Sequence, residues 1–460
     1  MAPAILLSEL PPDVIFSIFA HCDISSVVSA SQTCKYLHGL AFQKSVWLML
    51  LDCLRQRGIL DCGALGLTDL TSDTTAELVH RAKRLVTGPD TWAPRDSRLA
   101  PEVAREIILH PKIVTGVGIF EWWNEARLLP SGRYVLFKNL DTLECWDVAR
   151  DRLVWTHASS AEGSEVTAFA AEETGVGNSL LIFMCERAMG DRKNFVEIVE
   201  LHTRHGTHRI LLFAGVHDTP GDEPFSNPVV CGALAVVALD TGEKDTTLLV
   251  FDWKAQSAFA LDYPREPPPL FALVPGHLLL TATSSAGDQE LHLIAHAALP
   301  TPPLSADGRP TRLPWAAIPI LSTLRDQAAW TWEVFHRMAV HASPVRAGEY
   351  RVWLCGAYQR EDTHSYGAVH SYRLVLPGAA GAPPAWHARR PHAAQGLTSQ
   401  LALSYAGHAL GPGDFILRID APAARGGFDV GGAGDFLHLS AYSGAVTYST
   451  SRVIVIQYFK

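Results

Sequence analysis

The stretch "SELPPDVIFSIFAHCDISSVVSASQTCKYLHGLAFQKSVW" at residues 8–47 predicts several short helices joined by tight turns. Pro11 and Pro12 suit the first positions of a helix, where a missing backbone N–H costs no intrahelical hydrogen bond. Asp23 is a candidate N-cap for a second helix. The runs "CKYLHGLA" and "KSVWLMLLDCLRQR" predict a third and a fourth helix, and Gly58 is expected to end the fourth.

The first helix is more apolar than a helix with one buried face needs to be. With Val14 placed at zero and about 100° of rotation per residue, its apolar side chains cover an arc of roughly 240°. A surface helix usually needs an apolar stripe of only about 100° or somewhat more. The pattern therefore predicts a helix that is buried on two sides. One side faces its helical neighbours, and the other faces either a partner protein or the remainder of the chain.

The same stretch resembles an F-box over some 40 to 45 residues. The resemblance rests on the Leu-Pro opening, the acid two residues later, the Ile-Phe pair, the Cys-Lys pair followed by an aromatic residue and Leu, and Trp47 at the end. Two positions depart from the family pattern, because Tyr36 stands where Trp is common and Cys22 stands where Leu is usual. Both substitutes keep an apolar body.

The resemblance implies a partner for the second apolar side of the first helix. F-boxes dock on the small Skp adaptor of cullin–RING ubiquitin ligases, and the Leu-Pro opening and the first helix carry much of that contact. Carried over residue by residue, the implied adaptor-binding residues are Leu10, Pro11, Val14, Ile15, Ile18 and Phe19.

Beyond this stretch the sequence changes from helical to extended patterns. The run "TTAELVHRAKRL" at 74–85 predicts one more helix, which Gly88 and Pro89 should end. From about residue 128, short β-branched and aromatic runs alternate with turns. They recur as six pairs, beginning with "GRYVLF" and "LECWDV" and finishing with "DFILRID" and "DFLHLSAY".

A repeat of about 40–50 residues with three or four short strands is typical of a β-propeller. A single small sheet cannot bury both faces, whereas sheets packed side by side in a ring cover one another. Six blades are favoured and seven are the alternative, while a β-sandwich or two smaller β domains is a different possibility. The apolar C-terminal run "RVIVIQYFK" is predicted to pair with the first blade near "GRYVLF" and to close the ring.

The predicted fold class is therefore multidomain, α followed by all-β. An F-box of three helices is assigned to residues 1–55, a helical linker to 56–112, and a β-propeller to 113–460. The C-terminal part is similar, on looser features such as "GPGDFILRID", to fungal F-box proteins with a propeller-like end.

Composition narrows the class of partner and the compartment. The net charge is −9, which disfavours nucleic acid and acidic lipid surfaces as partners. No signal peptide is recognisable, and the longest apolar stretch, at 229–239, is far shorter than the roughly 18 residues of a membrane helix. The eight cysteines form no C-x-x-C pair, so reduced thiols in the cytoplasm or the nucleus are expected.

No motif for phosphate binding, nucleophilic hydrolysis or zinc peptidase chemistry occurs, so no catalytic residue, metal ligand or cofactor is assigned. His202, His205 and His208 are spaced by three, but they fall where a hairpin turn is expected to carry polar residues. Trp122 and Trp123 fit packing between blades better than a cage for a ligand.

The order of F-box, helical linker and propeller resembles the substrate receptors of SCF-type ubiquitin ligases, and the resemblance implies a non-catalytic substrate-recognition adaptor. The F-box would bind the Skp-type adaptor and the cullin ligase, and the propeller would bind an unknown protein substrate. The alternative is an F-box protein that acts outside a ligase, or a propeller with a small-ligand or catalytic pocket of its own.

Overall fold

The computed structural model describes most of the 460 residues. The described residues are 6–61, 70–92, 101–114, 124–157, 159, 161, 163–174, 179–188, 193–216, 218–219, 223–241, 246–263, 269–283, 289–304, 308–325, 334–359, 365–376, 383–388, 392–395, 402–410, 415–418, 428–429 and 437–460.

Five α-helices precede the strands in the described residues. They are α1 (Pro12–Ala20), α2 (Ile24–Ser31), α3 (Lys35–Ala41), α4 (Lys44–Gln56) and α5 (Thr75–Thr87). The Asp23 side chain accepts a hydrogen bond from the Ser26 backbone N–H, as its predicted N-cap role requires. Gly88 follows α5 at a φ of 77°, in the left-handed region that favours glycine. The helices predicted from the sequence are thus confirmed, and four of them occupy residues 12–56.

The helices share one apolar core that also reaches α5. Phe19, Trp47 and Leu51 are buried in it together with Leu78 of α5. Each large apolar side chain taken out of water contributes roughly 1.5–3 kcal/mol. Because these short helices have little stability alone, this shared core is what holds them as a unit.

Short strands form the rest of the described chain. They are β1 (Val103–Leu109), β2 (Glu125–Leu128), β3 (Tyr134–Asn139), β4 (Thr142–Asp147), β5 (Arg152–Thr156), β6 (Ser164–Thr174), β7 (Ser179–Ala188), β8 (Lys193–His202), β9 (Thr207–Val216), β10 (Phe225–Cys231), β11 (Leu234–Asp240), β12 (Thr246–Asp252), β13 (Ser257–Tyr263), β14 (Phe271–Val274) and β15 (His277–Thr283). The others are β16 (Gln289–Ala295), β17 (Thr311–Pro314), β18 (Ser322–Arg325), β19 (Val334–Ala342), β20 (Glu349–Gln359), β21 (Ser365–Val375), β22 (Ala385–Ala388), β23 (His392–Gln395), β24 (Ala402–Leu403), β25 (His408–Leu410), β26 (Phe415–Arg418), β27 (Phe428–Asp429), β28 (His438–Leu439), β29 (Val446–Ser449) and β30 (Ile454–Phe459).

Hydrogen bonding groups the described strands into seven separate sheets. In chain order these are β2–β5, β6–β9, β10–β13 with β17, β14–β16 with β18, β19–β22 with β23, β24–β27, and a closing sheet of β1 with β28–β30. The pairing is antiparallel except between β13 and β17. Six units were favoured from the sequence, whereas the described residues give seven sheets, the number of the alternative.

The sheets are packed as a ring. An apolar cluster lies between each successive pair, from the first and second sheets to the fifth and sixth. Ala402 of the sixth sheet packs against a cluster that contains Val446 of the closing sheet, and Ile456 of the closing sheet shares another cluster with Val135 of the first sheet. Among the described residues, each sheet therefore packs on the next in a closed propeller-like cycle, which a two-sheet sandwich could not produce.

The two ends of the β region meet in the closing sheet. β30 lies between β29 and β1, and Ile107 pairs with Ile456 in an antiparallel register. The strand predicted at the C-terminus is confirmed, but its partner is β1 rather than the run "GRYVLF". The helical linker predicted for residues 56–112 also includes residues 103–109. Pairing with β30 determines their extended conformation.

The sixth sheet explains why the sequence favoured six units. The runs "DFILRID" and "DFLHLSAY" were paired with each other, yet β26 belongs to the sixth sheet and β28 to the closing sheet. The strands of these sheets are only two to four residues long apart from β1 and β30. Strands that short leave little periodicity from which to separate two units.

The helices contact the closing sheet and the β19–β20 turn of the fifth sheet. Arg84 of α5 donates a hydrogen bond to the Phe459 carbonyl oxygen at 2.6 Å. Ser25 donates its backbone N–H to the Val345 carbonyl oxygen at 2.9 Å, and Arg57 donates to the Ser343 carbonyl oxygen at 2.8 Å. The helical part is therefore joined to the ring by packing and hydrogen bonds at several separate points.

Candidate docking surface

The two apolar sides of α1 have different surroundings. Ile15 and Phe19 are 0% and 1% exposed and point into the helical core. Val14 and Ile18 are 39% and 36% exposed. Because residues four apart share a helix face, each pair forms a row, and the two rows lie on different sides of the helix. The sequence predicted burial on both sides of the helix, whereas the described chain covers only one side.

The exposed row continues into the chain before the helix. Pro11 is exposed and Leu10 is half-buried against the helical core. Leu7 is 37% exposed, and it accepts the Leu10 backbone N–H at its carbonyl oxygen. Tyr36 of α3 is 42% exposed, and its hydroxyl donates to the Leu10 carbonyl oxygen at 3.5 Å.

We name this surface the α1 face. Its members are Leu7, Leu10, Pro11, Val14, Ile18 and Tyr36.

The structure separates the six predicted contact residues into two groups. Leu10, Pro11, Val14 and Ile18 belong to the α1 face, whereas Ile15 and Phe19 are covered by α1's own neighbours. A periodicity argument could not distinguish the two groups, since both sides of the helix are apolar. Leu7 and Tyr36 were not predicted as contacts, although Tyr36 had been noted as a departure from the family pattern, which is the signal that could have found it.

The ring of sheets does not cover the α1 face. The exposed fractions of Val14 and Ile18 are those in the whole chain, with the ring in place. The ring instead contacts the helical part through Ser25, Arg57 and α5. Of the two occupants considered for this side of the helix, the remainder of the chain is therefore excluded by the described residues.

The turn between α1 and α2 is held by the half-buried carboxylate of Asp23. Burial opposes ionisation of Asp23, but hydrogen bonds from Ser26 and Ser25 outweigh it and lower the pKa of Asp23. The ionised side chain accepts from the Ser26 backbone N–H at 2.8 Å and from the Ser25 hydroxyl at 2.9 Å. This cap fixes the start of α2 and with it the turn that follows α1.

One group of side chains in the described part of the chain has the composition of a metal site. Ligand atoms of His157, Glu186 and Glu197 lie within 4.8 Å of one another, and all three residues are buried. His157 Nε2 is 2.7 Å from Glu186 Oε1, and Ser164 donates to the other carboxylate oxygen at 2.7 Å. Burial opposes ionisation, but these hydrogen bonds lower the pKa of Glu186. The Glu186 carboxylate is thus occupied by protein hydrogen-bond partners, in a buried polar network between the first two sheets.

The histidines singled out from the sequence are spread around a hairpin. His202 ends β8, His205 lies in the turn, and His208 is in β9. His208 accepts from Trp155 Nε1 at 3.1 Å, and His202 Nδ1 is 3.3 Å from the Ser179 hydroxyl. They serve separate contacts, as expected of polar residues in a hairpin. Trp122 and Trp123 lie outside the described residues.

Two further features bear on the compartment. The cysteines among the described residues are all free thiols. None of the helices in the described ranges has the length and hydropathy needed to span a bilayer.

Comparison with known proteins finds a family similarity within the helical part. Residues 7–51 match the F-box-like family. This match contains every residue of the α1 face. No curated protein matches the chain.

Several solved structures are similar to the chain at low identity. The WD40 domain of SCAP from fission yeast is 11% identical, with a TM-score of 0.40, over 76% of this chain and 85% of that one. The complex of the fission yeast SREBP–SCAP binding domains is 11% identical, with a TM-score of 0.33, over 69% and 81%. An exo-β-1,3-galactanase from Phanerochaete chrysosporium is 10% identical, with a TM-score of 0.27, over 60% and 66%. The cyclic arrangement of sheets rests on the strand pairing and packing of this chain itself.

Proposed function

We propose that this protein is a substrate-recognition adaptor of an SCF-type cullin–RING ubiquitin ligase. Its F-box-like domain would bind a Skp-type adaptor, and its ring of sheets, as a seven-bladed propeller, would bind a protein substrate. The observation that carries the proposal is the α1 face, an apolar surface inside the F-box-like match that the chain leaves uncovered. Exposed apolar patches of this kind usually mark a protein interface.

The proposed contact differs from the set implied by the sequence, because Ile15 and Phe19 leave it and Leu7 and Tyr36 join it. We assign it to Leu10, Pro11, Val14 and Ile18, extended by Leu7 and Tyr36. Ile15 and Phe19 support it from below by holding α1 on the core. A few well-packed anchors usually provide most of the binding energy of an interface, and Val14 and Ile18 have the central position in this set.

In this role the protein performs no bond chemistry. Holding a substrate and the ligase in one complex raises the effective concentration of a substrate lysine at the ubiquitin-charged enzyme, to about millimolar values for short connections. The junction between helices and ring suits such a scaffold. Hydrogen bonds from Arg84 to Phe459 and from Arg57 to Ser343 tie the helical part to two different sheets.

The same proposal includes a compartment and a class of partner. The adaptor and its ligase act in the cytoplasm or the nucleus, which agrees with the free cysteines of the described residues. The net charge of −9 favours a protein substrate over nucleic acid or an acidic membrane surface.

Co-purification with a Skp-type adaptor tests the proposal. We expect the full-length chain to bind the adaptor and Ile18→Asp to lose binding, because the contact would then bury an unpaired carboxylate. The matched control is Ile210→Asp, since Ile210 is another exposed isoleucine, 47% exposed, on β9 of the ring. The control should bind as the unmodified chain does.

The outcomes separate the alternatives. Equal adaptor binding by Ile18→Asp and Ile210→Asp would show that the α1 face is not the contact. Adaptor binding that never recruits a cullin in a reconstituted mixture would favour an F-box protein acting outside a ligase.

A further inference from the structure

A cavity of about 230 Å³ lies where α5 meets the closing sheet. Its walls come from α5, from the segment after α4, from β1 and β30, and from the turn before β29. The apolar part of the wall is formed by Leu60, Leu85, Tyr442, Tyr458 and Phe459. This volume is somewhat smaller than the roughly 300–1,000 Å³ of sites for drug-sized ligands, so it suits a small metabolite.

Two arginines of α5 face this cavity from the same side. Arg81 Nε is 2.7 Å from a carboxylate oxygen of Asp73. Arg84 donates from Nη2 to the Phe459 carbonyl oxygen at 2.6 Å, and no carboxylate among the described residues is within ion-pair distance of it. Burial, and to a lesser degree the charge of Arg81, lowers the pKa of Arg84, while Asp90 opposes this. The Arg84 guanidinium is therefore a cation with donors to spare in a partly desolvated place.

The acidic residues that line the cavity are already engaged. The Glu77 carboxylate accepts from the Thr74 backbone N–H at 2.7 Å and from its hydroxyl at 2.8 Å, as part of the capping box of α5. Asp61 accepts from the Tyr458 hydroxyl at 3.3 Å. Neither carboxylate has Arg84 as its hydrogen-bond partner, so the cavity pairs aromatic walls with a guanidinium that an anion could still bind.

We propose that this cavity binds a small organic carboxylate with an apolar body, oriented by Arg84. A guanidinium matches a carboxylate with two parallel hydrogen bonds, which fixes orientation as well as charge. The rings of Tyr442, Tyr458 and Phe459 would cover the apolar body. A bare inorganic anion would leave that wall unfilled, so the wall favours an organic acid over free phosphate.

Such a ligand would act on the junction between the helices and the ring. The cavity wall includes α5 on one side and β30 on the other, and a ligand that binds only the docked arrangement stabilises it by mass action. This inference is independent of the proposed function, because the α1 face is formed by other residues. A chain that lost adaptor binding through Ile18→Asp should still bind the carboxylate.

The test uses the full-length protein with benzoate and phenylacetate as probes. We expect saturable binding, with a dissociation constant of about 1 mM or tighter for ligands of this size, seen by saturation-transfer NMR, and a rise in the unfolding temperature. The neutral amides benzamide and phenylacetamide have the same shape without the charge and should bind at least tenfold more weakly. Inorganic phosphate should not compete.

Two variants locate the site. Arg84→Gln removes the guanidinium and should weaken carboxylate binding at least tenfold, whereas Lys83→Gln removes a positive charge from an exposed position of the same helix and should not. If Arg84→Gln folds poorly, Ala104→Phe supplies a second test. Ala104 lines the cavity at β1, and a phenyl ring there should exclude the ligand while leaving Arg84 in place.

Any of three results would overturn the inference. The first is absence of saturable binding by both acids. The second is equal binding of the acids and their amides, and the third is unchanged acid binding in Arg84→Gln or Ala104→Phe that is folded by circular dichroism.

Discussion

The first helix and the last strand are about equally apolar in sequence, yet their surroundings differ. In β30, Ile454 and Ile456 are 0% exposed, and Val455 and Phe459, which face the other way, are also buried. In α1, Ile15 is fully buried, but Val14 and Ile18 on the other side remain more than one-third exposed. Both faces of the strand find partners within the chain, whereas one side of the helix finds none.

The difference shows which apolar side chains indicate a binding surface and which are explained by folding. A strand in the middle of a sheet is covered by its neighbours and by the adjoining sheets, so its apolar residues are explained by folding alone. An apolar row that the complete chain leaves exposed has a cost in water that folding does not recover. On α1, a binding surface is indicated by the apolar side chains that stay exposed after folding, and not by apolar content alone.

The largest effect is expected when the last strand is removed. Deleting residues 451–460 removes β30 from between β1 and β29, so the ring should lose its closure. We expect aggregation and a lower melting temperature of the whole β region, measured by differential scanning calorimetry. Adaptor binding should survive, because the core around α1 is formed almost entirely by the helices themselves.

Gln457→Ala is the control for that deletion. Gln457 is in the same strand but is only half-buried, and its amide donates to Glu106 on β1 at 3.0 Å. Its loss should change the melting temperature little. A truncated chain that melts at the temperature of the full chain would contradict the assigned role of β30.

Matched alanine variants on the two sides of α1 should differ in their effect on stability. Phe19→Ala opens a cavity in the helical core and should destabilise it by roughly 3–5 kcal/mol. Ile18→Ala changes an exposed position and should cost within about 0.5 kcal/mol, while still weakening adaptor binding. Chemical denaturation followed by helical circular dichroism measures both. Equal destabilisation by the two variants would show that the sides of α1 are not distinct.

The smallest expected effect concerns the point where helices, first sheet and β30 meet. Gly132 has a φ of 68°, and an added Cβ would lie 1.7 Å from Asp61 Oδ1. Gly132→Ala should therefore cost more than the roughly 1–2 kcal/mol of the backbone conformation alone. Gly276 has a φ of 73° in the corresponding turn of the fourth sheet with nothing within 4 Å. Its alanine variant is the control, and equal unfolding midpoints would argue against the Asp61 contact.

The sequence predicted the elements of this molecule better than their partners. Helix ends at Asp23 and Gly88 follow from local chemistry, and the structure confirms them. The pairing of β30 with β1 joins positions 351 apart, which no local pattern encodes. In α1, Val14 and Ile18 are exposed whereas Ile15 and Phe19 are buried. Which side is buried depends on where the other helices pack, so periodicity alone could not assign it. The cavity beside Arg84 likewise exists only after α5 docks on the closing sheet.

The closing sheet also sets an order of events in time. Glu106 on β1 and Gln457 on β30 are 351 positions apart, so at about 5–20 residues per second the ribosome needs roughly 20 to 70 s between them. During that interval the helices can already pack against one another, because every buried residue of their core precedes residue 86, but the ring lacks its last sheet. In the proposed role, a nascent chain would therefore present the α1 face to a Skp-type adaptor before its ring has closed.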